Sequence, residues 1–154
     1  MKLFLCVAGC LVLGMLGGLF TQESVDTWYP TLVKPSWNPP TWVFPLVWTM
    51  LYTLMGVALW LVITSQTSYR GSAYLFFALQ FFLNFIWSFL FFGLENPLFA
   101  LIDILLLWVA IVLTISHFQP HSRMAAWLLV PYLIWVTYAV SLNVYIWLNN
   151  PPIA

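Results

Sequence analysis

Long apolar runs separated by polar or proline-rich connections dominate the chain. A membrane-spanning helix needs about 20 apolar residues, because the hydrocarbon core of a bilayer is about 30 Å thick. Runs near that length predict five transmembrane helices, at about residues 3–20, 42–63, 73–92, 97–117 and 123–148. Short connections between the last four indicate antiparallel neighbours. The predicted fold is therefore an all-α integral membrane protein, a five-helix bundle formed by a single membrane domain over residues 1–154.

Three further features concern helix ends and connections. Asn96 followed by Pro97 is typical of a helix start, since the asparagine caps the first turn and that turn does not need the missing proline N–H. Pro131 lies inside the fifth run, where it removes a backbone hydrogen bond and predicts a bend. The segment 21–41 is rich in Trp and Pro and predicts an ordered loop, which either lies along the membrane interface or covers a cavity.

The composition agrees with a membrane protein and excludes several functional classes. The chain is 64% hydrophobic and 5% charged, with mean hydropathy +0.98 and a formal net charge of zero, whereas about a quarter of the residues in a soluble domain are charged. We therefore expect no nucleic-acid partner. The sequence has no nucleotide-binding loop and no zinc motif. Accordingly we predict no metal site and no obligatory cofactor.

Polar, aromatic and small residues recur at one-turn spacing in three of the predicted spans, and this pattern indicates faces directed into the bundle. The strips are Phe44, Trp48, Tyr52 and Gly56 in the second span, Gln80, Asn84 and Ser88 in the third, and Trp135, Ala139 and Asn143 in the fifth. Alternatively, the amides of Gln80, Asn84 and Asn143 only hold helices together by hydrogen bonds and face no cavity. Because three strips coincide, we interpret them as walls of an apolar cavity with a few polar groups.

Three features outside these strips have two interpretations each. Asp103 lies well inside the fourth span, where a carboxylate is a functional candidate, or it has a structural role near the helix start. The pair Gly14-x-x-x-Gly18 lets helices approach closely, either within the bundle or between two copies. If segment 21–41 is a lid, Lys34 is available for a ligand carboxylate.

A set of motifs extends from Trp28 to Asn149 and resembles the tryptophan-rich sensory protein family, also called the translocator protein or peripheral-type benzodiazepine receptor family. The motifs include Trp28-Tyr29-x-x-Leu32-x-Lys34-Pro35-Ser36-Trp37, Gln80-x-x-x-Asn84-x-x-Trp87-Ser88 and Pro131-Tyr132-Leu133-x-Trp135. The resemblance implies a five-helix bundle in the membrane, commonly a homodimer. It implies binding of porphyrins such as protoporphyrin IX and haem-type tetrapyrroles, and in some members of cholesterol and benzodiazepine-type ligands.

The resemblance also implies a pocket between the second, third and fifth helices, roofed by the Trp/Pro-rich loop. Its residues would be Trp48, Tyr52, Asn84, Trp135 and Ala139, with Gln80, Ser88 and Asn143 in the same strips and Trp37 and Lys34 in the roof. If the family's light-dependent porphyrin breakdown occurs here, Trp48 and Trp135 are the catalytic candidates. The alternatives to a porphyrin receptor are a transporter of tetrapyrroles or other apolar ligands, and a non-catalytic regulatory membrane partner.

Charges and the family pattern disagree on orientation. Lys2, Arg70 and Arg123 fall on the N-terminal side of the predicted bundle, which favours a cytoplasmic N-terminus. The family topology implies the opposite, so both orientations stay open. No Lys or Arg follows Tyr138 or Tyr145, so the sterol-recognition pattern is absent and we expect no specific sterol binding. We expect the protein to reside in a bacterial membrane.

Overall fold

The computed structural model describes residues 1–18, 21–67 and 69–150, and these residues contain helices and no strand. The helices are α1 (Lys2–Gly18), α2 (Thr21–Asp26), α3 (Val43–Ile63), α4 (Gly71–Ser88), α5 (Pro97–Phe118), α6 (Arg123–Leu128) and α7 (Val130–Asn149). A 3₁₀ turn, Tyr29–Thr31, precedes α3, and α4 continues into a π-helical turn, Phe89–Gly93. The predicted all-α fold is confirmed.

Four helical segments of the described chain are long and apolar enough to cross a membrane: Val43–Ile63, Gly71–Gly93, Pro97–Phe118 and Arg123–Asn149. The apolar helix α1 has 17 residues, which corresponds to about 25 Å at 1.5 Å per residue. The structure therefore supports a multi-pass helical membrane protein with four spans of full length, where the sequence predicted five. The predicted end of the first span at residue 20, and the last four residues of the predicted domain, lie outside the described residues.

Glycines let α1 pack directly against α3. A Cβ on Gly56 would lie 2.5 Å from the Cα of Val7, so the two backbones touch at this position. A Cβ on Gly14 would lie 2.2 Å from the ring of Tyr52, so that ring covers Gly14. A Cβ on Gly18 would meet nothing within 4 Å. Of the pair Gly14-x-x-x-Gly18, only Gly14 therefore lies at a close contact within the bundle.

The predicted start of the fourth span is confirmed, and the predicted bend in the fifth is an interruption of the helix. The side chain of Asn96 accepts a hydrogen bond of 3.1 Å from the N–H of Phe99, as expected of a cap. The predicted helix 123–148 is divided at Leu129 into α6 and α7. The break lies before Pro131 because the proline ring clashes with the carbonyl four residues earlier and offers that carbonyl no N–H.

Loss of the cap at Asn96 should weaken the bundle. We expect Asn96→Ala to lower the free energy of unfolding by about 1 kcal/mol, because the Phe99 N–H loses its acceptor. Chemical unfolding in detergent micelles measures the change. Asn96→Asp keeps an acceptor at this position and should retain most of the stability. An equal loss in both variants would contradict the role of the Asn96 side chain as the helix cap.

The segment 21–41 is ordered by contacts with other elements, and it contains helix α2 where the sequence predicted a loop. The hydroxyl of Ser24 in α2 donates to the carbonyl of Phe92 at 2.6 Å. At the far end of the segment, the hydroxyl of Tyr138 donates to the carbonyl of Trp37 at 2.6 Å. The side-chain amide of Asn150 bonds both the N–H and the carbonyl of Val33, at 2.8 and 3.0 Å. The segment is therefore attached to the turn after α4 and to α7.

Candidate ligand-binding cavity

A cavity of about 710 Å³ lies between α1, α3, α4, α5 and α7, below the segment 21–41. Ligand pockets in proteins typically have volumes of about 300–1,000 Å³. The aromatic residues lining it are Tyr29, Phe44, Trp48, Tyr52, Trp87, Phe91, Phe92 and Trp135. Two amides, from Asn84 and Asn143, also line it. The cavity is therefore a mainly apolar space with aromatic faces and a few directional polar groups, as the three strips predicted.

The structure brings six of the predicted site residues together around this cavity. They are Trp48 and Tyr52 from α3, Asn84 from α4, and Trp135, Ala139 and Asn143 from α7. Trp48 stacks on Tyr52, with ring centroids 5.3 Å apart and an angle of 23° between the rings. Phe44 meets Trp135 edge to face, with centroids 6.0 Å apart. With Trp87 of α4, three helices thus present indole rings to one space.

Four other predicted site residues do not line the cavity: Gln80, Ser88, Lys34 and Trp37. Gln80 is 0% exposed, and neither atom of its amide has a hydrogen-bond partner among the described residues. Ser88 lies beside Gly17 of α1, where its Oγ would be 3.3 Å from an added Cβ. One-turn spacing predicts which residues share a helix face. It does not predict which residues of that face reach a cavity, and of the strip Gln80, Asn84 and Ser88 only Asn84 lines it here.

The roof residues Lys34 and Trp37 shape the loop. The ammonium of Lys34 donates to the carbonyls of Tyr29 and Leu32, at 2.6 and 3.1 Å, and lies 4.8 Å from the centre of the Tyr29 ring. Partial burial lowers the pKa of Lys34. Trp37 is exposed and packs edge to face on Tyr145. The availability of Lys34 for a ligand, predicted from the sequence, is therefore reduced by its bonds within the loop.

The loop residue that reaches the cavity is Tyr29, which sequence reasoning did not single out. Its ring lines the cavity, and its hydroxyl donates to Oδ1 of Asn38 at 2.8 Å. Burial raises the pKa of Tyr29, and the hydrogen bond to Asn38 partly opposes that change. Tyr29 lies in a recognisable sequence motif, but nothing in the motif indicates which of its aromatic rings points inward.

The two asparagines of the cavity also connect helices. Oδ1 of Asn84, on α4, accepts a hydrogen bond of 2.7 Å from the hydroxyl of Tyr52, on α3. Asn143 accepts from the indole N–H of Trp87 at 3.1 Å and donates to the carbonyl of Pro97 at 2.8 Å. The two amides therefore both connect helices and form part of the cavity wall.

The sequence comparisons point to one family. The profile of the TspO/MBR family matches residues 6–148, nearly the whole chain. The chain belongs to the TspO/MBR family. The family predicted from the sequence motifs is therefore confirmed. Family membership and the four long apolar helices together identify an integral multi-pass membrane protein.

Relatives of this TspO/MBR protein occur in bacteria and in animals. The tryptophan-rich protein TspO of Chlorobaculum tepidum is 46% identical over 98% of this chain and 97% of its own length. A tryptophan-rich sensory protein of Cereibacter sphaeroides is 43% identical over 77% of this chain and 73% of its own. The translocator protein of Homo sapiens is 37% identical over 92% of this chain and 83% of its own length. The similarity thus extends over most of each protein.

Proposed function

We propose that this TspO/MBR protein is a membrane receptor or sensor that binds porphyrins, such as protoporphyrin IX and related tetrapyrroles, in the cavity between α3, α4 and α7. The observation that supports it is the cavity of about 710 Å³ with Trp48 and Trp135 on two of its walls. A flat macrocycle offers large faces to indole and phenol rings. One relative is named a sensory protein, which agrees with a sensor, and another is named a translocator protein, which agrees with the alternative of a transporter.

The polar edge of a porphyrin needs hydrogen-bond donors. The Asn84 amide lies in the cavity wall, and the Trp48 and Trp135 indoles carry donors that complement carboxylates. Lys34 becomes a further partner for a propionate only when it leaves the carbonyls of Tyr29 and Leu32. In this proposal the aromatic rings supply most of the affinity, and the donors set the orientation of the ligand.

The proposal includes the arrangement in the membrane. Helix α1 packs against α3 at Gly56 and Gly14, so it lies alongside a full-length span, and we propose that it crosses the bilayer as a fifth span. A stretch shorter than the hydrocarbon core is accommodated by local thinning of the bilayer. The proposal also includes a homodimer, as the family resemblance implies, and a bacterial membrane, since two similar relatives are bacterial.

A porphyrin titration in nanodiscs tests this function. We expect protoporphyrin IX to quench tryptophan fluorescence saturably in the wild type, and the double variant Trp48→Phe/Trp135→Phe to bind about tenfold more weakly. The matched control is Trp42→Phe/Trp127→Phe, because these indoles are 67% and 70% exposed and lie outside the cavity lining. Absence of saturable quenching in the wild type would contradict porphyrin binding and favour a regulatory membrane partner.

The same samples under light test the photochemical part of the proposal. With molecular oxygen as the oxidant, bleaching of bound porphyrin in the wild type and in the control double variant, but not in Trp48→Phe/Trp135→Phe, would support light-dependent breakdown. Binding without bleaching in any sample would support a receptor alone. In either case the dark titration still reports binding.

A further inference from the structure

The exposed residues that line the cavity all lie on one side of it. They are Met15 and Gly18 of α1, Asp26 of α2, Thr41, and Pro45 and Thr49 of α3. The lining residues that α4, α5 and α7 contribute are, in the part of the chain that the structure describes, all buried or half-buried. The cavity therefore opens between the second half of α1 and the first turns of α3, under the segment 21–41.

The packing of α1 on α3 fixes where this opening begins. The two backbones touch at Gly56, and the Tyr52 ring covers Gly14 so closely that an added Cβ would lie 2.2 Å from it. One turn further along α1, a Cβ on Gly18 would meet nothing within 4 Å. The two helices thus touch as far as Gly14 and leave space beyond it. We call this gap the lateral opening; the residues that frame it are Met15, Gly18, Pro45 and Thr49.

The surface outside the lateral opening is apolar. A groove of about 540 Å³ on α3 shares Pro45 and Thr49 with the cavity lining, and its other lining residues are Leu46, Met50, Thr53 and Leu54. The hydroxyls of Thr49 and Thr53 donate to the carbonyls of Pro45 and Thr49, each at 2.8 Å. Because these hydroxyls are satisfied within the helix, the groove is suited to hydrocarbon and not to water.

The lateral opening lies near one end of the spans. Thr49 is six residues after Val43, the first residue of α3, which corresponds to about 9 Å at 1.5 Å per residue. Gly18 is the last residue of α1. The opening therefore faces the boundary between acyl chains and headgroups. Amphipathic molecules settle at this depth, with the apolar part among the chains and the polar part among the headgroups.

We propose that the lateral opening between α1 and α3 is the entrance through which a ligand passes from the bilayer into the cavity. The segment 21–41 is attached to α7 through the carbonyl of Trp37 and to Asn150 through Val33, so it covers the cavity and does not have to move. The inference rests on the proposed function in assuming that a membrane-borne ligand occupies the cavity. It gives the second half of α1 a role in ligand entry as well as in packing.

Stopped-flow measurement of protoporphyrin IX uptake into proteoliposomes tests the entrance. We expect Gly18→Phe and Thr49→Phe each to slow uptake about tenfold and to slow release as well, because an obstacle in the path hinders passage in both directions. The matched control is Gly9→Phe, since Gly9 is also an exposed glycine of α1 with open space around its Cβ but does not line the cavity. It should leave both rates unchanged.

A variant of the cover distinguishes this entrance from a route through the segment 21–41. Tyr138→Phe removes the hydrogen bond to the carbonyl of Trp37 and loosens the segment. Entry through the lateral opening predicts unchanged uptake in this variant. Faster uptake in Tyr138→Phe would overturn the proposal. Unchanged uptake in both Gly18→Phe and Thr49→Phe would overturn it equally.

Quenching by brominated lipids tests the opening without a ligand. Trp48 lies between Pro45 and Thr49 on α3 and lines the cavity. Phosphatidylcholine brominated near the headgroup end of its chains should quench the Trp48 emission, obtained as the difference between wild type and Trp48→Phe. Gly18→Phe should protect this emission, and Gly9→Phe should not.

A Trp48 emission that brominated lipid leaves unquenched in the wild type would overturn the proposal. If the wild type binds no porphyrin, the proposed function fails. The quenching experiment then still decides whether the cavity opens to the bilayer, because it requires no ligand.

Discussion

Asn84→Leu is expected to lower the free energy of unfolding by about 1–3 kcal/mol, because it leaves the buried hydroxyl group of Tyr52 without its partner. In the wild type, Oδ1 of Asn84 accepts a hydrogen bond of 2.7 Å from the hydroxyl of Tyr52. Leucine has a similar size but offers neither a donor nor an acceptor. Tyr52 is buried, so water does not readily replace the lost partner. The change also removes a polar group from the cavity wall, and porphyrin binding should weaken.

Thermal unfolding in detergent, followed by circular dichroism, measures the loss in Asn84→Leu. A second variant separates an unpaired hydroxyl from a general packing defect. Tyr52→Phe/Asn84→Leu removes the donor together with its acceptor, and we expect it to be more stable than Asn84→Leu alone. Asn149→Leu, on an exposed position of α7, is the matched control and should change stability little. If the double variant is less stable than Asn84→Leu, the explanation by the unpaired Tyr52 hydroxyl is wrong.

Gly56→Ala should also destabilise the protein, although alanine is the better helix former. A Cβ at this position would lie 2.5 Å from Val7 Cα and 2.9 Å from the carbonyl oxygen of Cys6. These are backbone atoms, so no side-chain rotation relieves the overlap and α1 must move away from α3. We expect a loss of about 1–3 kcal/mol in the free energy of unfolding. The same movement would loosen the contact between Gly14 and the Tyr52 ring.

The control for Gly56→Ala lies on the same pair of helices. A Cβ on Gly9 would meet nothing within 4 Å. Gly9→Ala therefore alters only the helix propensity at this position and should be neutral or slightly stabilising. Both variants are compared by thermal unfolding in the same detergent. Equal effects of the two substitutions would be inconsistent with direct backbone packing of α1 on α3.

Features that depend on local sequence were predictable. Apolar length located the four full-length spans, and the Asn96-Pro97 pair located the start of α5. One-turn spacing placed Trp48, Asn84 and Trp135 on a common cavity, because helix geometry fixes which side chains share a face. These predictions require only the period of the helix and the cost of burying polar groups in lipid.

Features that depend on the path of the backbone or on contacts between distant segments were not predictable. Helix α2 has six residues and a polar sequence, and such a short helix is marginal alone; here Ser24 attaches it to Phe92. Pro131 predicted a distortion, but the break at Leu129 reflects the carbonyl that the proline ring displaces. Lys34 carries a charge suited to a ligand, yet the loop folds its own carbonyls around that ammonium. The partner of Ser24 is distant in sequence, whereas Pro131 and Lys34 depend on nearby carbonyls whose positions follow from the folded backbone and not from the pattern of residue types.

The pair of hydrogen bonds between Asn150 and Val33 has a consequence for biosynthesis. The two residues are 117 positions apart, so the bonds that hold Val33 form only after α7 has been translated and inserted. Contacts of such separation close late, because the chain between their ends must already be arranged. Until then the nascent cavity lacks its finished cover, and an intermediate released before that stage would expose aromatic rings to chaperones and quality-control proteases.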